Sequence, residues 1–326
     1  MRRNRFMLSF AGFPIPASMS SFQTVGVIGK RRDPRVAPAL LALCQELRRL
    51  DRRVLIERDS AELAQCPAEF ERGSRAELAQ TCDLVVAVGG DGTLLSVARD
   101  MAPAGVPILG VHQGRLGFMV DVRPEDMRET LAAVFAGEHV REERLLLSAR
   151  VLRNGVASAP FLAVNDVVVR NQASIRMLEF ETWLDDEFIS QHRADGFIVS
   201  SPTGSTAYAL SGGGPVLHPA LEAISLVPIC PHTLSDRPIV VGARQRVGIV
   251  LRGSGSGVEA MCTCDGQTNQ RLLPGDRVEV VCADARLSLI HPKTYSYFNI
   301  LRNKLHWGRG PAAEPGSEPD ADLAGS

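Results

Sequence analysis

A glycine-rich turn around one aspartate is the segment of this 326-residue chain that is best suited to chemistry. An apolar run over residues 84–88 leads directly into GGDGT at residues 89–93, where an amphipathic helix is predicted to begin. Glycine lets backbone N–H groups approach a ligand, and a helix N-terminus carries partial positive charge, so the turn is a candidate phosphate site. A carboxylate repels phosphate unless a metal ion or a substrate hydroxyl lies between them. The turn therefore indicates phosphoryl transfer, with helix capping by Asp91 or Thr93 as the alternative.

A second candidate segment is DGFIVSSPTGSTAYALSGGGP at residues 195–215. Its hydroxyls and backbone N–H groups suit a polar ligand, and the ring of Tyr208 can stack on a base. The alternative is a long glycine-rich connector. The sequence has no G-x-G-x-x-G after its first predicted strand and no G-x-x-x-x-G-K-[ST], which argues against a Rossmann oxidoreductase and a P-loop NTPase.

Composition narrows the class of protein that must position these segments. A chain with 45% hydrophobic residues can bury a sizeable core, and its length favours two domains. A net charge of -1 gives no reason to expect nucleic acid or a membrane as partner. Seven cysteines, most of them in apolar surroundings, favour reduced thiols in a cytoplasmic protein. Cys262 and Cys264 lack zinc spacing, so no protein-held metal is expected.

Strands and helices alternate over residues 22–141, which predicts an α/β domain with a parallel, helix-covered sheet. From residue 142 to 292 short apolar runs separated by turn signals predict a mainly β domain. Residues 293–310 are expected to form a closing segment with a helix. Residues 1–21 are expected to be an extension, either disordered or ahead of the true start, and residues 311–326 a disordered tail.

Within these regions the pattern predicts individual elements. The expected strands of the first region are residues 24–29, 54–57, 84–88 and 106–111, and its expected helices are residues 36–50, 60–64, 76–81, a segment from 93, and 124–136. The expected strands of the second region are residues 145–152, 161–170, 175–184, 196–200, 247–251, 258–262, 278–282 and 287–290. A last helix is expected over residues 297–307.

In their order along the chain, these motifs resemble those of bacterial NAD kinases, which phosphorylate NAD to NADP. The GGDGT turn alone is shared with 6-phosphofructokinases and diacylglycerol kinases and indicates only the superfamily. The resemblance covers about residues 22–308 and rests on GGDGT at 89–93, QGRLGF at 113–118, VNDVV at 164–168, the 195–215 segment, PICPHTLSDRP at 228–238, DGQ at 265–267, HPK at 291–293 and LHWG at 305–308.

This resemblance implies a two-domain NAD kinase-like fold and transfer of the ATP γ-phosphoryl group to the 2′-hydroxyl of the adenosine ribose of NAD. It implies that Asp91 is the catalytic carboxylate and that the phosphates of ATP lie beside Gly89, Gly90, Gly92 and Thr93. It implies NAD contacts from Asp91, Gly92, Phe118, Asn165, Asp166, Arg176, Arg193, Asp195, Thr206, Ala207, Tyr208, Ala209, Leu210, Ser211 and Gln267. Arg176 could instead be a strand residue that faces solvent. No histidine is expected to be catalytic.

The resemblance further implies Mg²⁺ carried mainly by ATP, no prosthetic group, and a homodimer or homotetramer. Inorganic polyphosphate is an alternative phosphoryl donor. Two other functions stay open at this point. One is a kinase of the same superfamily that acts on a lipid or a sugar, and the other is a non-catalytic module that binds NAD.

Overall fold

The computed structural model describes residues 22–114, 116–172, 177–233, 235–252 and 260–307. The predictions made for residues 1–21, Arg176 and residues 311–326 fall outside these ranges. The starts of two predicted strands, at Ile175 and Val258, also lie outside them.

Five parallel strands with helices on both faces form the N-terminal part of the fold. Its strands and helices are β1 Thr24–Gly29, α1 Ala37–Arg49, β2 Arg53–Glu57, α2 Arg58–Leu63, β3 Glu71–Gly73, α3 Arg75–Thr81, β4 Leu84–Gly89, α4 Asp91–Met101, β5 Ile108–His112 and α5 Met127–Phe135. Two short 3-10 helices, Pro34–Val36 and Ala102–Ala104, precede α1 and follow α4. The strand order is β3-β2-β1-β4-β5, which confirms the predicted parallel sheet.

Apolar periodicity explains why these segments fold as they do. Every residue of β4 is buried, as expected for a central parallel strand that helices cover on both faces. Leu40, Leu43 and Leu47 recur at helical spacing on α1 and are fully buried against the sheet. Each such leucine contributes about 1.5–3 kcal/mol through removal of its side chain from water. The rigid sheet that results fixes where the GGDGT turn, at the end of β4, faces.

The C-terminal part is mainly β, as predicted. Its elements are β6 His139–Arg153, β7 Val156–Ala157, β8 Phe161–Ala163, β9 Asp166–Asn171, β10 Leu178–Leu184, β11 Glu187–Ala194, β12 Gly196–Ser200, the 3-10 helix Thr203–Thr206, α6 Tyr208–Ser211, β13 Ala223–Ile229, β14 Ile239–Gly242, β15 Val247–Arg252, β16 Ala260–Cys264, β17 Thr268–Leu272, β18 Arg277–Pro292 and α7 Tyr297–Leu305.

Two sheets pack face to face in this part. Among the described residues, one sheet has six antiparallel strands in the order β14-β13-β12-β9-β16-β17. The other contains β11, β10, β15, β18 and β6 and continues into the parallel sheet, because β18 pairs in parallel with β5 at Leu289 and Ile290. Side chains of both sheets, including Phe180, Val199 and Ile249, form the core between them. Because β6 spans His139–Arg153, the predicted domain boundary near residue 142 falls inside this strand.

Several strands differ from the predicted pattern. β18 is one strand where the sequence predicted two, and its pairing with β6 shifts register between Cys282 and Arg286. The predicted strand 161–170 is two strands, β8 and β9, and β3, β7, β11, β13, β14 and β17 were not predicted. β17 and β14 lie at the edges of their sheet, where one side of the strand faces water and the apolar signal is weak. Within the described ranges, no helix has the length and apolar character needed to cross a membrane.

Candidate active site

The GGDGT turn joins β4 directly to α4, and its aspartate is held by a neighbouring loop. Asp91 is the first residue of α4, and its two carboxylate oxygens accept hydrogen bonds from the backbone N–H groups of Phe118 (2.9 Å) and Met119 (3.0 Å). Gly117 makes this approach possible, since a Cβ there would lie 2.1 Å from Asp91 Oδ1. The carboxylate is thus fixed by the 117–119 loop rather than by capping its own helix. Each oxygen keeps a further lone pair for a ligand.

A cleft of about 420 Å³ opens on one side of this turn, and we call it the turn cleft. Its lining residues are Gly29, Lys30, Arg31, Arg75, Gly90, Gly92, Thr93, Ser96 and Gln267. Each of the three cations has an acidic partner: Lys30 is paired with Asp33 at 2.9 Å, Arg31 with Asp59 at 3.5 Å, and Arg75 with both Glu57 at 2.5 Å and Asp100 at 2.9 Å. Three cationic side chains together with a helix N-terminus make this cleft suitable for a polyanion.

A second cleft, of about 330 Å³, lies among the loops of the six-stranded sheet, and we call it the carboxylate cleft. Its lining residues are Asn165, Asp166, Val168, Arg170, Ala207, Tyr208, Thr263, Asp265, Gly266 and Asn269. Two carboxylates and two amides provide partners for hydroxyl groups, and the exposed ring of Tyr208 offers an apolar face. The cleft is therefore suited to a polyhydroxylated ligand that carries a flat ring.

The two carboxylates of this cleft have opposite surroundings. Asp265 has a fully buried side chain that is nevertheless well bonded, since Oδ1 accepts from the backbone N–H groups of Asn165 (2.8 Å) and Val164 (3.1 Å), and Oδ2 accepts from Arg99 (2.8 Å). Asp166 is 5% exposed. Its burial, together with the negative charge of Asp265, raises the pKa of Asp166 to about 7. Asp166 therefore changes charge close to neutral pH.

Residues 265–267 connect the two clefts. Asp265 and Gly266 line the carboxylate cleft, whereas Gln267 lines the turn cleft. Gln267 Nε2 donates a hydrogen bond to the carbonyl oxygen of Gly92 at 2.9 Å, and Arg99 of α4 donates to Gln267 Oε1. A ligand in the carboxylate cleft and a polyanion in the turn cleft would thus lie on either side of the 265–267 turn, which contacts the start of α4 at Gly92.

The structure brings together only some of the residues that the sequence singled out. Asn165, Asp166, Ala207 and Tyr208 line one cleft, and Gly90, Gly92, Thr93 and Gln267 line the other, with Asp91 and Gly89 at the turn itself. The ring of Phe118 is half-buried, and the ammonium group of Lys304 in α7 lies 5.9 Å from its centre.

Other predicted residues lie outside both clefts. Arg193 and Asp195 are exposed, and Arg193 is 3.3 Å from Glu179, its ion-pair partner. Ala209 is fully buried in a small apolar cluster. Thr206 Oγ1 donates a hydrogen bond to the carbonyl oxygen of Thr203 at 3.2 Å. Leu210 and Ser211 belong, like Ala209, to the short helix α6. Arg176 lies outside the described residues.

The sequence analysis assigned no role to Asp265, Arg99, Arg170 or Lys30, although Asp265 lies in the DGQ motif at residues 265–267. Asp265 did carry a local signal, because Asp-Gly between two strands predicts a tight hairpin turn, and both residues have positive φ (52° and 63°). Arg99 carried none, since its partner Asp265 is 166 residues away in the chain. In the described ranges, no group of three or more His, Cys, Asp or Glu side chains is arranged to hold a metal ion.

Comparison with known families accounts for this arrangement. The model for the ATP-NAD kinase N-terminal domain matches residues 39–139, and that for the ATP-NAD kinase C-terminal domain matches residues 164–292. The chain belongs to the NAD kinase family. It is 44% identical to the NAD kinase of Teredinibacter turnerae over 290 residues, which are 89% of this chain and 98% of that protein. It is 43% identical to the NAD kinase of Laribacter hongkongensis over 287 residues, covering 88% and 97%.

Solved structures of the NAD kinase family share the fold. Yeast NADH kinase complexed with NADH superimposes with a TM-score of 0.82 at 24% identity, covering 90% of each chain. The NAD kinase of Archaeoglobus fulgidus in complex with ATP gives a TM-score of 0.67 at 27% identity, covering 87% of this chain and 98% of that one. The predicted two-domain architecture and the predicted family are both confirmed.

Proposed function

We propose that this enzyme transfers the γ-phosphoryl group of ATP to the 2′-hydroxyl of the adenosine ribose of NAD, giving NADP and ADP. The observation that carries the proposal is similarity to NAD kinases along 89% of the chain, combined with two clefts that the hairpin turn at residues 265–267 connects, one of which borders the GGDGT turn. A lipid or sugar kinase of the same superfamily, and a non-catalytic module, are not favoured, because the curated relatives are NAD kinases over nearly their whole length.

We assign the acceptor to the carboxylate cleft. Asn165 and Asp166 supply an amide and a carboxylate for ribose hydroxyls, and the exposed ring of Tyr208 can stack on a base. The family pattern adds contacts from Gly92, Phe118, Arg176, Arg193, Asp195, Thr206, Ala207, Ala209, Leu210, Ser211 and Gln267. Of these, Ala207 lines this cleft, and Gly92 and Gln267 line the neighbouring turn cleft.

We assign the donor to the turn cleft. The N-terminus of α4 and the glycine turn before it border this cleft and would face anionic oxygens of the donor, and Lys30, Arg31 and Arg75 line the same cleft. Mg²⁺ enters as part of the donor, since it prefers phosphate oxygens and keeps several of its waters. Phosphoryl transfer depends mainly on positioning and charge neutralisation, and the turn cleft supplies both.

In the chemical step, a bond forms between the 2′-oxygen and the γ-phosphorus while the bond to the β,γ-bridging oxygen breaks and ADP leaves. The hydroxyl proton passes to the carboxylate of Asp91. That proton becomes more acidic as the new bond forms, so an ordinary carboxylate suffices as acceptor. The hydrogen bonds from Phe118 and Met119 keep the carboxylate in place while it receives the proton.

Purified protein incubated with NAD, MgCl₂ and either ATP or polyphosphate tests the proposal by the NADP that forms. Asp91→Asn is expected to lower turnover at least about 100-fold, with the fold and most NAD affinity retained. Asp126→Asn, which removes an exposed carboxylate paired with Arg123, is the matched control. Absence of NADP with both donors would contradict the proposed reaction, and wild-type turnover in Asp91→Asn would exclude Asp91 as the key carboxylate.

Family resemblance also supports a homodimer or homotetramer, which light scattering of the purified protein measures directly. It supports a cytoplasmic location, which fractionation of cells would test.

A further inference from the structure

We propose that Arg99 is a positioning residue for phosphoryl transfer. It holds the helix that begins at Asp91 in register with the cleft that binds the acceptor. The inference rests on the function proposed above and adds to it a residue that does not itself touch either substrate. Arg99 has a side chain that is 16% exposed, and its two terminal nitrogens bond to two different partners in the C-terminal part of the fold.

One terminal nitrogen of Arg99 bonds to a residue of the carboxylate cleft. Arg99 Nη1 donates to Asp265 Oδ2 at 2.8 Å. The other oxygen of Asp265 accepts the backbone N–H groups of Asn165 at 2.8 Å and Asp166 at 3.3 Å. Arg99 therefore connects through one carboxylate to the backbone of the Asn-Asp pair assigned to the ribose. A shift of Arg99 would move this pair or break these bonds.

The other terminal nitrogen of Arg99 bonds to a residue that contacts the GGDGT turn. Arg99 Nη2 donates to Gln267 Oε1, and Gln267 Nε2 donates to the carbonyl oxygen of Gly92 at 2.9 Å. Gly92 follows Asp91 directly, so α4 is clamped at both of its ends by the same hairpin turn. An arginine is suited to this role because its planar fork can bond two acceptors in a fixed geometry, which a lysine cannot do.

The length of α4 explains why the contacts of Arg99 matter for the reaction. Asp91 and Arg99 are eight residues apart, which is about 12 Å along a helix. A carboxylate that receives a proton must lie within about 3.2 Å of its donor, and a misplacement of 1 Å can cost about 100-fold in rate. A small tilt of α4 at its Arg99 end is therefore sufficient to separate Asp91 from the hydroxyl.

A role in stability alone is the competing explanation, because Asp265 is a fully buried carboxylate that needs a cation. The kinetics of the folded variants separate the two, and the pH dependence of NAD binding reports the charge of the cleft. Among the described residues, the charged and titratable groups around the cleft are Asp166, Asp265, Arg99, Arg170, Tyr208 and the buried thiol of Cys264. Asp265 already raises the pKa of Asp166, so removing the positive charge of Arg99 strengthens that effect. A positioning clamp that also sets the charge of the cleft must alter this profile.

The experiment compares Arg99→Gln with Arg53→Gln, which breaks an exposed ion pair with Glu71 and serves as the control. We expect Arg99→Gln to lower kcat/KM for NAD about 10- to 100-fold and to change KM for ATP less than about threefold. The bend in the plot of log KM for NAD against pH should move to higher pH. A loss of kcat/KM no greater than that of Arg53→Gln would overturn the proposal. So would a lower melting temperature together with an unchanged pH profile and an unchanged kcat/KM.

Arg99→Lys provides the second variant. It keeps the positive charge beside Asp265 but cannot also bond to Gln267 in the same geometry. We therefore expect the bend in the plot of log KM against pH to stay at its wild-type position and kcat/KM for NAD to fall by roughly three- to tenfold. If Arg99→Gln does not fold, this variant decides, and a wild-type kcat/KM would refute the clamp. Failure of the wild-type protein itself to form NADP would instead refute the proposed function, so the two failures are distinguishable.

Discussion

Gly117→Ala should inactivate the enzyme through Asp91 alone. A Cβ at residue 117 would lie 2.1 Å from Asp91 Oδ1, whereas real Cβ contacts are not shorter than 3.0 Å, so the carboxylate must move by about 0.9 Å. The backbone of Gly117 has no positive φ, so alanine adds no backbone strain. A displacement of that size costs about 100-fold in rate, or about 2.7 kcal/mol of transition-state stabilisation.

The same substitution should also lower the stability of the fold. The hydrogen bonds from the N–H groups of Phe118 and Met119 to the carboxylate would be weakened, and water can replace them in part. We expect the free energy of unfolding to drop by about 1–3 kcal/mol. Steady-state NADP formation and thermal unfolding measure the two effects. Gly242→Ala is the control, because a Cβ there meets only Gln245, at 3.5 Å.

A double substitution makes this test specific. If Gly117→Ala acts through Asp91, adding it to Asp91→Asn should lower the residual rate by less than about twofold, since the same interaction is already lost. Turnover of Gly117→Ala within about threefold of wild type would show that Asp91 is not displaced, and full additivity of the two substitutions would contradict the prediction as well.

Three further predictions follow from the described contacts. Tyr208→Ala should raise KM for NAD about 10-fold by loss of stacking, while Tyr208→Phe stays near wild type in the same kinetic assay. Asp166→Asn should raise KM for NAD yet stabilise the fold at pH 8 by at least about 1 kcal/mol. The pKa of Asp166 in the folded protein is about 7, above the 3.8 of a free aspartate, so the wild-type protein loses stability as pH rises from 4 to 7. The extra stability of Asp166→Asn should therefore vanish in unfolding experiments near pH 4. Arg144→Met should cost about 1–3 kcal/mol in denaturant unfolding, since Arg144 is 2% exposed and its partner Glu142, 2.7 Å away, would keep only Tyr295 and His291 as partners. An equal cost in the exposed-pair variant Arg53→Gln would contradict this last prediction.

Local sequence predicted the parallel half of the fold well. β4 and α4 follow from an apolar run, a glycine turn and helical spacing, all of which depend on near neighbours in the chain. β18 shows the limit of this reasoning. The sequence predicted two strands, at residues 278–282 and 287–290, but the pairing with β6 continues from one to the other with a shift of register. Backbone pairing across β18 is set by the partner strand, and side-chain polarity does not reveal it.

The candidate site was predicted unevenly for the same reason. Asn165, Asp166 and Tyr208 belong to motifs that are contiguous in sequence, and the fold brings them to one cleft. Ala209 belongs to an equally recognisable motif, yet its side chain packs among buried apolar residues. Which side of a short helix faces a ligand depends on what covers the other side. Sequence order alone carries no such information.

The candidate chemistry of the GGDGT turn could be predicted from the sequence itself, because the glycines, the strand end, the helix start and the carboxylate are all neighbours in the chain. Only the tertiary structure decided how that carboxylate is held, by N–H groups 27 and 28 residues further along the chain. It alone placed Arg99 against Asp265 and gave Asp166 its raised pKa. Periodicity and turn propensity act between neighbouring residues, whereas burial and ion pairing act between residues that are brought close only when the chain folds.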